Sequence, residues 1–329
     1  MPESEFRTIP PIEDALFLTG PTAGGKTRAG IRLAQAIDAE IISLDSMAIY
    51  RMMDIGTAKP LPEEREGVPH HLIDIVDPWE EFSLADYLKA ATEAAGNIRS
   101  RGRKVLFVGG TPLYLKSCLS GIFEGPPADQ GFREKMAERE AADPGTLHRE
   151  LSERAPLDAE RLHPNDTRRI IRALEVLRVT GRQITEFQTQ FKSESETGNR
   201  VFVLSWPREV LYARINARVD AMMAAGFLDE VERLQCLGRP MSKTALQGVG
   251  YRELPEALAG RVPLADAVEK IKLQTRHFAK NQETWFRSLA NATAIPMVRT
   301  EESSGQSHFL NEFETSRAIL DELKGNSRH

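Results

Sequence analysis

The chain has 329 residues, 41% of them hydrophobic, so it is long enough to bury a large core in one or two domains. Its formal net charge of −5, taken alone, argues against binding to nucleic acid. Net charge averages over the whole surface, however, and a local basic stripe is sufficient to bind a phosphate backbone. The two cysteines lie far apart without neighbouring metal ligands, which argues against a zinc site or a disulfide framework. No stretch approaches the about 18 apolar residues of a membrane helix, and the leader over 1–14 lacks a signal segment, so we expect a cytoplasmic protein without a membrane partner.

The stretch over 15–27, ALFLTGPTAGGKT, combines a predicted strand, a G-x-x-x-x-G-K-T loop and the start of a helix that continues to Ile37. This order is typical of a phosphate-binding P-loop, in which backbone N–H groups surround a polyphosphate. Lys26 adds a positive charge for a terminal phosphate, and the Thr27 hydroxyl is a predicted Mg²⁺ ligand. A chance glycine-rich turn is the alternative. The predicted loop consists of Gly20, Pro21, Thr22, Ala23, Gly24, Gly25, Lys26 and Thr27.

Alternating patterns follow along the chain. Apolar runs predict strands over 40–44, 72–76, 104–108, 200–206 and 293–298, and helical spacing predicts helices over 83–99, 210–237, 264–289 and 309–323. Such alternation indicates an α/β fold with a doubly wound parallel sheet of the P-loop NTPase type. A charged segment over 132–190 has helical periodicity and no clear strand. We therefore predict a catalytic core over 15–120 and 200–299, a helical insertion over 121–199, and terminal extensions over 1–14 and 300–329.

Asp45 follows the strand over 40–44, at the sheet edge where ligands bind in open α/β folds. It is the candidate acid to hold Mg²⁺ or to take a proton from a nucleophile. The alternative is that Asp45 caps a helix beginning at Ser46 or Met47. The strand over 104–108 ends in Gly-Gly-Thr, where an ATPase would usually place a Walker-B aspartate. The sequence thus favours a site that binds a polyphosphate without transferring it to water.

Basic residues cluster in two regions. The segment over 161–182 contains six arginines, and on a helix Arg168, Arg172 and Glu175 share a face with Arg169 adjacent. The segment over 248–287 interleaves basic and aromatic residues, a pattern that suits RNA phosphates and stacked bases, or a solvated helix face over core aromatics. Arg214 and Arg218 lie one helical turn apart and either reach one anionic ligand together or are ordinary surface arginines.

Several motifs together resemble the bacterial tRNA dimethylallyltransferase family, also called tRNA isopentenyltransferases. The motifs are GPTAGGKT at 20–27, DSMAIYRMMDIGTAKP at 45–60, HHLIDIVDP at 70–78, GGTPLYLK at 109–116, HPNDTRRIIRALEV at 163–176, GVGYRE at 248–253 and FAKNQETWFR at 278–287. They occur in the family's order over about residues 15–290. The sequence departs from the family pattern at Ala48, Pro112 and Asn281, where Gln, Gly and Arg are usual. With Ala48 in place of Gln, a hydrogen bond to adenine is either lost or supplied by another residue.

The resemblance implies that the loop binds the diphosphate of dimethylallyl diphosphate, not ATP, and that the prenyl group moves to N6 of adenosine 37 in tRNAs reading codons that begin with U. It assigns Asp45 as general base, Thr22 and Arg218 as further catalytic residues beside the diphosphate, and Mg²⁺ as cofactor. We expect a monomer that recognises the anticodon stem-loop. The implied tRNA-binding residues are Asp45, Ser46, Met47, Ala48, Thr111, Arg133, Arg168, Arg169, Ile170, Ile171, Arg172, Gln247, Gly248, Val249, Gly250, Tyr251 and Arg252.

Three alternatives stay open from the sequence. A prenyltransferase for free adenine nucleotides shares the P-loop and the aspartate, although the basic insertion disfavours it. A P-loop small-molecule kinase would transfer phosphate from ATP. A non-catalytic P-loop module would bind RNA without modifying it.

Overall fold

A computed structural model describes residues 8–187, 197–300 and 307–325. The remaining parts of the predicted leader (1–7), insertion (188–196) and tail (301–306 and 326–329) lie outside these ranges. The chain divides into two compact units, one formed by Met1–Pro11 and Ser120–Glu196 and the other by Ile12–Leu119 and Thr197–His329. We call them the helical unit and the core unit. No helix among the described residues is both long and apolar enough to cross a membrane.

The strands are β1 (Thr8–Ile9), β2 (Leu16–Thr19), β3 (Ala39–Ser43), β4 (His70–His71), β5 (Lys104–Val108), β6 (Ile122–Phe123), β7 (Arg200–Ser205), β8 (Ala292–Pro296), β9 (Val298–Thr300) and β10 (Ser307–Phe309). The helices are α1 (Lys26–Ile37), α2 (Leu84–Ser100), α3 (Pro112–Ser120), α4 (Gln130–Ala142), α5 (Thr146–Arg154), α6 (Pro156–Ala159), α7 (Thr167–Thr180), α8 (Ile184–Phe187), α9 (Arg208–Ala224), α10 (Phe227–Cys236), α11 (Leu254–Leu258), α12 (Leu264–Phe286) and α13 (Glu312–Gly325).

The core unit is built on a parallel sheet with strand order β4-β3-β5-β2-β7-β8. Its central strands are continuous apolar runs because both faces are covered. Phe17 and Phe107 stack in its interior with ring centroids 4.7 Å apart. The predicted α/β class with a parallel P-loop sheet is confirmed. Since all six strands run the same way, the ends of β2, β3 and β5 lie at one edge, where the P-loop, Asp45 and the Gly109-Gly110 turn follow.

The strand predicted over 72–76 is wrong. Only His70 and His71 pair with β3, and the chain then turns through Leu72 (φ 60°) and Asp74 (φ 58°). These left-handed conformations are incompatible with a strand. The Asp74 carboxylate is instead held by Lys59 Nζ at 2.6 Å. The N–H groups of Asp74 and Ile75 also donate to the carbonyls of Ala48 and Ile49, so contacts with other segments hold this apolar stretch in a turn.

The single helix predicted over 210–237 is also wrong, because α9 and α10 are separate. Gly226, with φ 95°, lies between them and turns the chain. Glycine adopts this left-handed conformation without the steric cost of a Cβ atom. The break brings α10 back toward the residues that line the cavity described below, including Phe227 at its first position.

In the helical unit, α4 to α8 account for most of the described residues, and β1 pairs with β6. Its core contains Leu147, Leu151, Ile170 and Leu174. The helix α7 begins after Asp166, whose side chain accepts from the Arg169 N–H, and ends at Gly181 with φ 70°. These are normal helix start and stop signals.

Candidate active site

The P-loop follows β2 and curls against β7. A Cβ atom on Gly20 would lie 2.9 Å from the Leu204 carbonyl oxygen, so only glycine permits this close approach. Gly25, with φ 89°, precedes the first residue of α1. The described residues provide no acceptor for the backbone N–H groups of Gly25, Lys26, Thr27 and Arg28. Unpaired donors at a helix N-terminus form a suitable cradle for phosphate oxygens.

Lys26 and Arg218 bring positive charge to this cradle. The pKa of Lys26 is lowered from its ordinary value of 10.5 to about 7, chiefly by desolvation and also by the nearby charge of Arg218, while Asp45 acts in the opposite direction. Burial also lowers the pKa of Arg218, and Asp45 partly offsets that effect. Lys26 Nζ donates to the Pro21 carbonyl at 2.7 Å. Two crowded cations beside one carboxylate favour an anionic ligand, because its charge would relieve their repulsion.

Asp45 has one oxygen bound and one available. Its Oδ1 accepts from the N–H groups of Met47 at 2.8 Å and Ala48 at 3.4 Å. Oδ2 accepts no hydrogen bond within the part of the chain that the structure describes. Residues 46–49 form bends and a turn, so Asp45 stabilises a turn and does not cap a helix. The carboxylate is thereby oriented while one oxygen stays available to a substrate proton.

Neighbouring backbone and side chains support this edge. Thr111 Oγ1 accepts from the Ser46 N–H at 3.1 Å. Gly109 packs so closely that a Cβ atom would lie 2.2 Å from the Leu44 carbonyl oxygen. The GGT sequence thus allows β3 and β5 to place their ends in contact, and Thr111 helps to hold the strip that follows Asp45.

Gln282, on α12, is a residue that the sequence interpretation missed. Its Oε1 accepts from the Thr22 N–H at 2.9 Å, and its Nε2 donates to the Gly110 carbonyl at 2.5 Å. It is only 2% exposed. A signal was present, since Gln282 lies three residues after buried Ala279 and four before buried Phe286. A polar amide at a core position indicates a buried hydrogen-bonding role.

These groups share a cavity of about 190 Å³ in the core unit. Its polar part includes Thr22, Lys26, Thr27, Asp45 and Arg218. Its apolar part includes Ile215, Val219, Met222, Phe227 and Ile271. A charged cradle that continues into an apolar space is suited to an amphiphilic ligand with a phosphate group and a hydrocarbon chain.

Glu230 organises one wall of the cavity. The carboxylate is buried and accepts from the N–H groups of Asp54 (2.9 Å), Ile55 (2.7 Å) and Gly56 (3.2 Å) and from the Tyr251 hydroxyl (2.7 Å). These bonds join the DIGTAKP segment to the GVGYRE segment. Burial raises the pKa of Tyr251 far above its ordinary value, and the Glu230 charge raises it further. Tyr251 therefore acts as a neutral donor to Glu230.

Most of the tRNA positions implied for the core unit surround the cavity. Asp45, Thr111 and the strip over 46–48 line it, as do Gly248, Val249 and Tyr251. Gly250 is buried with φ 100°, and a Cβ atom there would lie 2.5 Å from the Phe227 ring. The exposed members of that segment are Gln247 and Arg252. Their side chains, not the buried Tyr251 ring, are available to a large ligand.

The four arginines of the helical unit that the resemblance implies as tRNA contacts fall into two classes. Arg133 and Arg172 both donate to the fully buried carboxylate of Glu175, at distances of 2.8–3.0 Å and 2.5 Å. Arg168 and Arg169 are exposed; Arg169 pairs with Asp166 at 3.3 Å, and Arg168 makes no ion pair with the described residues. Two other implied contacts, Ile170 and Ile171, have side chains in the unit's core. Arg168 is thus the most available cation of this segment.

Glu175→Gln is expected to destabilise the protein by about 1–3 kcal/mol, because two arginines lose a buried ionic partner. Burial alone would raise the pKa of Glu175, but hydrogen bonds from Arg133, the Asp129 N–H and Arg172 outweigh burial and hold it below 4.5. Its stabilisation is therefore present above pH 4.5 and is lost as the pH falls through the lower folded-state pKa. Urea unfolding at pH 7 and at acidic pH measures both effects. Glu186→Gln, at the exposed pair with Arg182, is the control and should change stability much less. Equal unfolding of the two variants would contradict the assigned role.

The site offers few metal ligands of its own. No group of three or more His, Cys, Asp or Glu side chains in the described ranges has the arrangement of a metal site. Thr27 lines the cavity, and its backbone N–H is one of the unpaired donors. A hard oxygen ligand next to a phosphate cradle fits Mg²⁺, which takes most of its ligands from phosphate and water in such sites.

The chain is similar to known proteins over most of its length. A family model described as IPP transferase matches residues 48–289, and one described as isopentenyl transferase matches residues 14–75. The chain is 44% identical over 305 residues to the tRNA dimethylallyltransferase of Rhodopirellula baltica, covering 89% of this chain and 91% of that protein. It is 47% identical over 279 residues to the tRNA dimethylallyltransferase of Bacillus velezensis, covering 84% and 88%.

Two solved structures are also similar. The full-length tRNA isopentenylpyrophosphate transferase of Bacillus halodurans is 38% identical with a TM-score of 0.69, covering 96% of this chain and 98% of that one. A eukaryotic dimethylallyltransferase, described as acting on tRNA, has a TM-score of 0.76 at 27% identity, covering 95% and 80%. The similarity therefore includes both the sequence and the fold.

Proposed function

The chain belongs to the tRNA dimethylallyltransferase family, and on that premise we propose that it transfers the dimethylallyl group of dimethylallyl diphosphate to the N6 amine of an adenosine in tRNA, releasing pyrophosphate. We propose adenosine 37 in tRNAs reading codons that begin with U as the acceptor, as the motifs imply. The observation that carries the proposal is the single cavity in which phosphate-binding groups, Asp45 and an apolar space occur together.

The phosphate end supports departure of the leaving group. As the bond between the allylic carbon and the diphosphate oxygen breaks, negative charge builds on the diphosphate. Lys26, Arg218 and the unpaired N–H groups of the P-loop are placed to stabilise that charge. The apolar side chains of the cavity exclude water from the prenyl carbon, which favours attack by the amine over hydrolysis.

Asp45 supports formation of the new bond. An adenine amine is a poor nucleophile, so it needs orientation and removal of its proton as the N6–carbon bond forms. The available Oδ2 of Asp45 accepts that proton, while Met47 and Ala48 hold Oδ1. The adenine must leave its stack to reach this carboxylate, as in other enzymes that modify a base.

We propose Mg²⁺ as the cofactor, with the Thr27 hydroxyl as its ligand from this chain. When bound, the ion would neutralise charge on the diphosphate and so make it a better leaving group. Thr22, in the same loop, is proposed as a further catalytic residue beside the diphosphate. Its N–H donates to the Gln282 side chain, which fixes its position.

The decisive experiment incubates the purified protein with labelled dimethylallyl diphosphate, Mg²⁺ and unmodified tRNA. The proposal predicts covalent label on tRNA and release of one pyrophosphate per prenyl group. Parallel reactions replace the tRNA by AMP, or the prenyl donor by ATP. Efficient labelling of AMP but not tRNA, or ADP release without a prenyl donor, would overturn the proposal, and binding of tRNA without label would indicate an RNA-binding module.

We further propose the helical unit as a tRNA-binding insertion, with Arg168 as a phosphate contact. Arg168→Ala is expected to weaken tRNA binding and to reduce the slope of log affinity against log salt by about one. Arg154→Ala is the matched control, because Arg154 is exposed in the same unit but is paired with Glu150. Binding measured from low to physiological salt tests this. An unchanged salt slope in the Arg168 variant would show that Arg168 does not contact a tRNA phosphate.

A further inference from the structure

Two side chains, those of Trp206 and Arg214, donate hydrogen bonds to backbone carbonyl groups of the P-loop. The Trp206 Nε1–H donates to the Gly24 carbonyl at 3.0 Å, and the Arg214 Nε–H donates to the Ala23 carbonyl at 2.9 Å. The two side chains also contact each other, with the Arg214 guanidinium carbon 4.3 Å from the centroid of the Trp206 ring. The sequence predicts Trp206 only as the end of a strand, and it predicts Arg214 either to reach an anionic ligand together with Arg218 or to be an ordinary surface arginine.

These bonds control which way the loop amides point. In a trans peptide the carbonyl and the N–H point in opposite directions. Holding the Gly24 carbonyl toward Trp206 therefore turns the Gly25 N–H away from Trp206, and that N–H has no acceptor within the described ranges. Holding the Ala23 carbonyl toward Arg214 likewise fixes the Gly24 N–H, which donates to Pro21 at 3.1 Å.

The loop needs such support because part of its backbone is strained. Ala23 has φ 59°, a left-handed conformation that is unfavourable for a residue with a Cβ atom. Trp206 is itself well fixed: it is 6% exposed and its ring lies 5.8 Å from that of Phe309 in β10. A buried tryptophan that uses its one polar atom on a loop carbonyl holds that carbonyl in place.

We propose that Trp206 and Arg214 are positioning residues for the diphosphate, acting as a clamp that keeps the Gly25 N–H directed at the ligand. The inference rests on the proposed function, since it specifies how the P-loop binds that diphosphate. Arg214 thus serves a different purpose from Arg218, which lines the cavity one helical turn away. Arg214 acts through the hydrogen bond from its Nε–H to the Ala23 carbonyl, and not only through its positive charge.

The test measures binding of inorganic pyrophosphate with Mg²⁺ to the full chain by calorimetry. Trp206→Phe removes the N–H donor but keeps an aromatic ring, and is expected to weaken binding about fivefold, as for loss of one hydrogen bond. Arg214→Lys keeps the charge but loses the planar Nε donor, with the same expected loss. Trp79→Phe is the matched control, because Trp79 also lies beneath an arginine, Arg239, at 5.0 Å, but far along the chain from the P-loop. It should bind pyrophosphate like the unmodified protein.

In steady-state assays, the two clamp variants should lower kcat/KM for dimethylallyl diphosphate about fivefold, because the Gly25 N–H both binds the diphosphate and stabilises its charge as it departs, while the KM for tRNA changes little. Thermal melting checks folding, and exposed Arg214 provides the test if Trp206→Phe is unstable. Pyrophosphate affinity unchanged in both clamp variants would overturn the clamp while leaving the proposed function intact. No binding of pyrophosphate or prenyl donor by the unmodified protein would overturn both.

Discussion

Asp45→Ala is expected to lower kcat by about 10²–10⁴-fold, the usual contribution of a general base, while leaving tRNA affinity largely unchanged. The side chain that would take the N6 proton is lost, whereas the phosphate-binding arginines remain. Single-turnover prenyl transfer measures the chemical step, and filter binding measures tRNA affinity. Unchanged turnover would refute the assignment of Asp45 as base.

Asp45 also stabilises a turn through Oδ1, so a second variant must separate the two roles. Asp45→Asn retains an acceptor for the Met47 N–H and removes only the basic oxygen. If Asp45 is the base, the Asn variant is as slow as the Ala variant. If Asp45 serves only the turn, the Asn variant recovers most of the activity. The comparison therefore distinguishes a role of Asp45 as general base from a role in stabilising the turn.

Lys26→Met is expected to lower kcat/KM for dimethylallyl diphosphate by about 10²–10³-fold, since it removes a charge that stabilises the departing diphosphate. The same change should raise Tm at pH 7. Burial lowers the pKa of Lys26 to about 7, below its unfolded value of 10.5, so the folded protein holds this proton less tightly than the unfolded chain. The charged lysine is therefore unfavourable to folding at pH 7 and below, and that cost disappears as the pH rises toward 10.5.

Lys104→Met is the matched control for this variant, because Lys104 is exposed at the start of β5, at the opposite end of the strand from the site. It makes the same change in charge and should alter neither kcat/KM nor Tm appreciably. Lower stability together with lower activity in the Lys26 variant would indicate a structural role. Loss of activity with a gain in stability is typical of a functional residue held at a cost to the fold.

Local spacing was sufficient for much of the fold and for the family. The order of strand, G-x-x-x-x-G-K-T loop and helix depends on contacts within about one loop length, so the P-loop could be predicted directly. The family membership predicted from the motifs is confirmed by the family models and the relatives. The errors were equally local: an apolar stretch over 72–76 looked extended, and helical spacing continued across Gly226.

The sequence by itself determined a parallel α/β core, a phosphate loop and an aspartate at the same sheet edge, because each follows from neighbours along the chain. Only the tertiary structure decided how these groups are held. Gln282 reaches Thr22 across 260 positions, and Trp206 reaches Gly24 across 182. The structure likewise pairs Arg133 with Glu175 and buries Ile170. Packing between distant segments decides which arginines stay available and which side chains orient the loop amides. No pattern of adjacent residues contains that information.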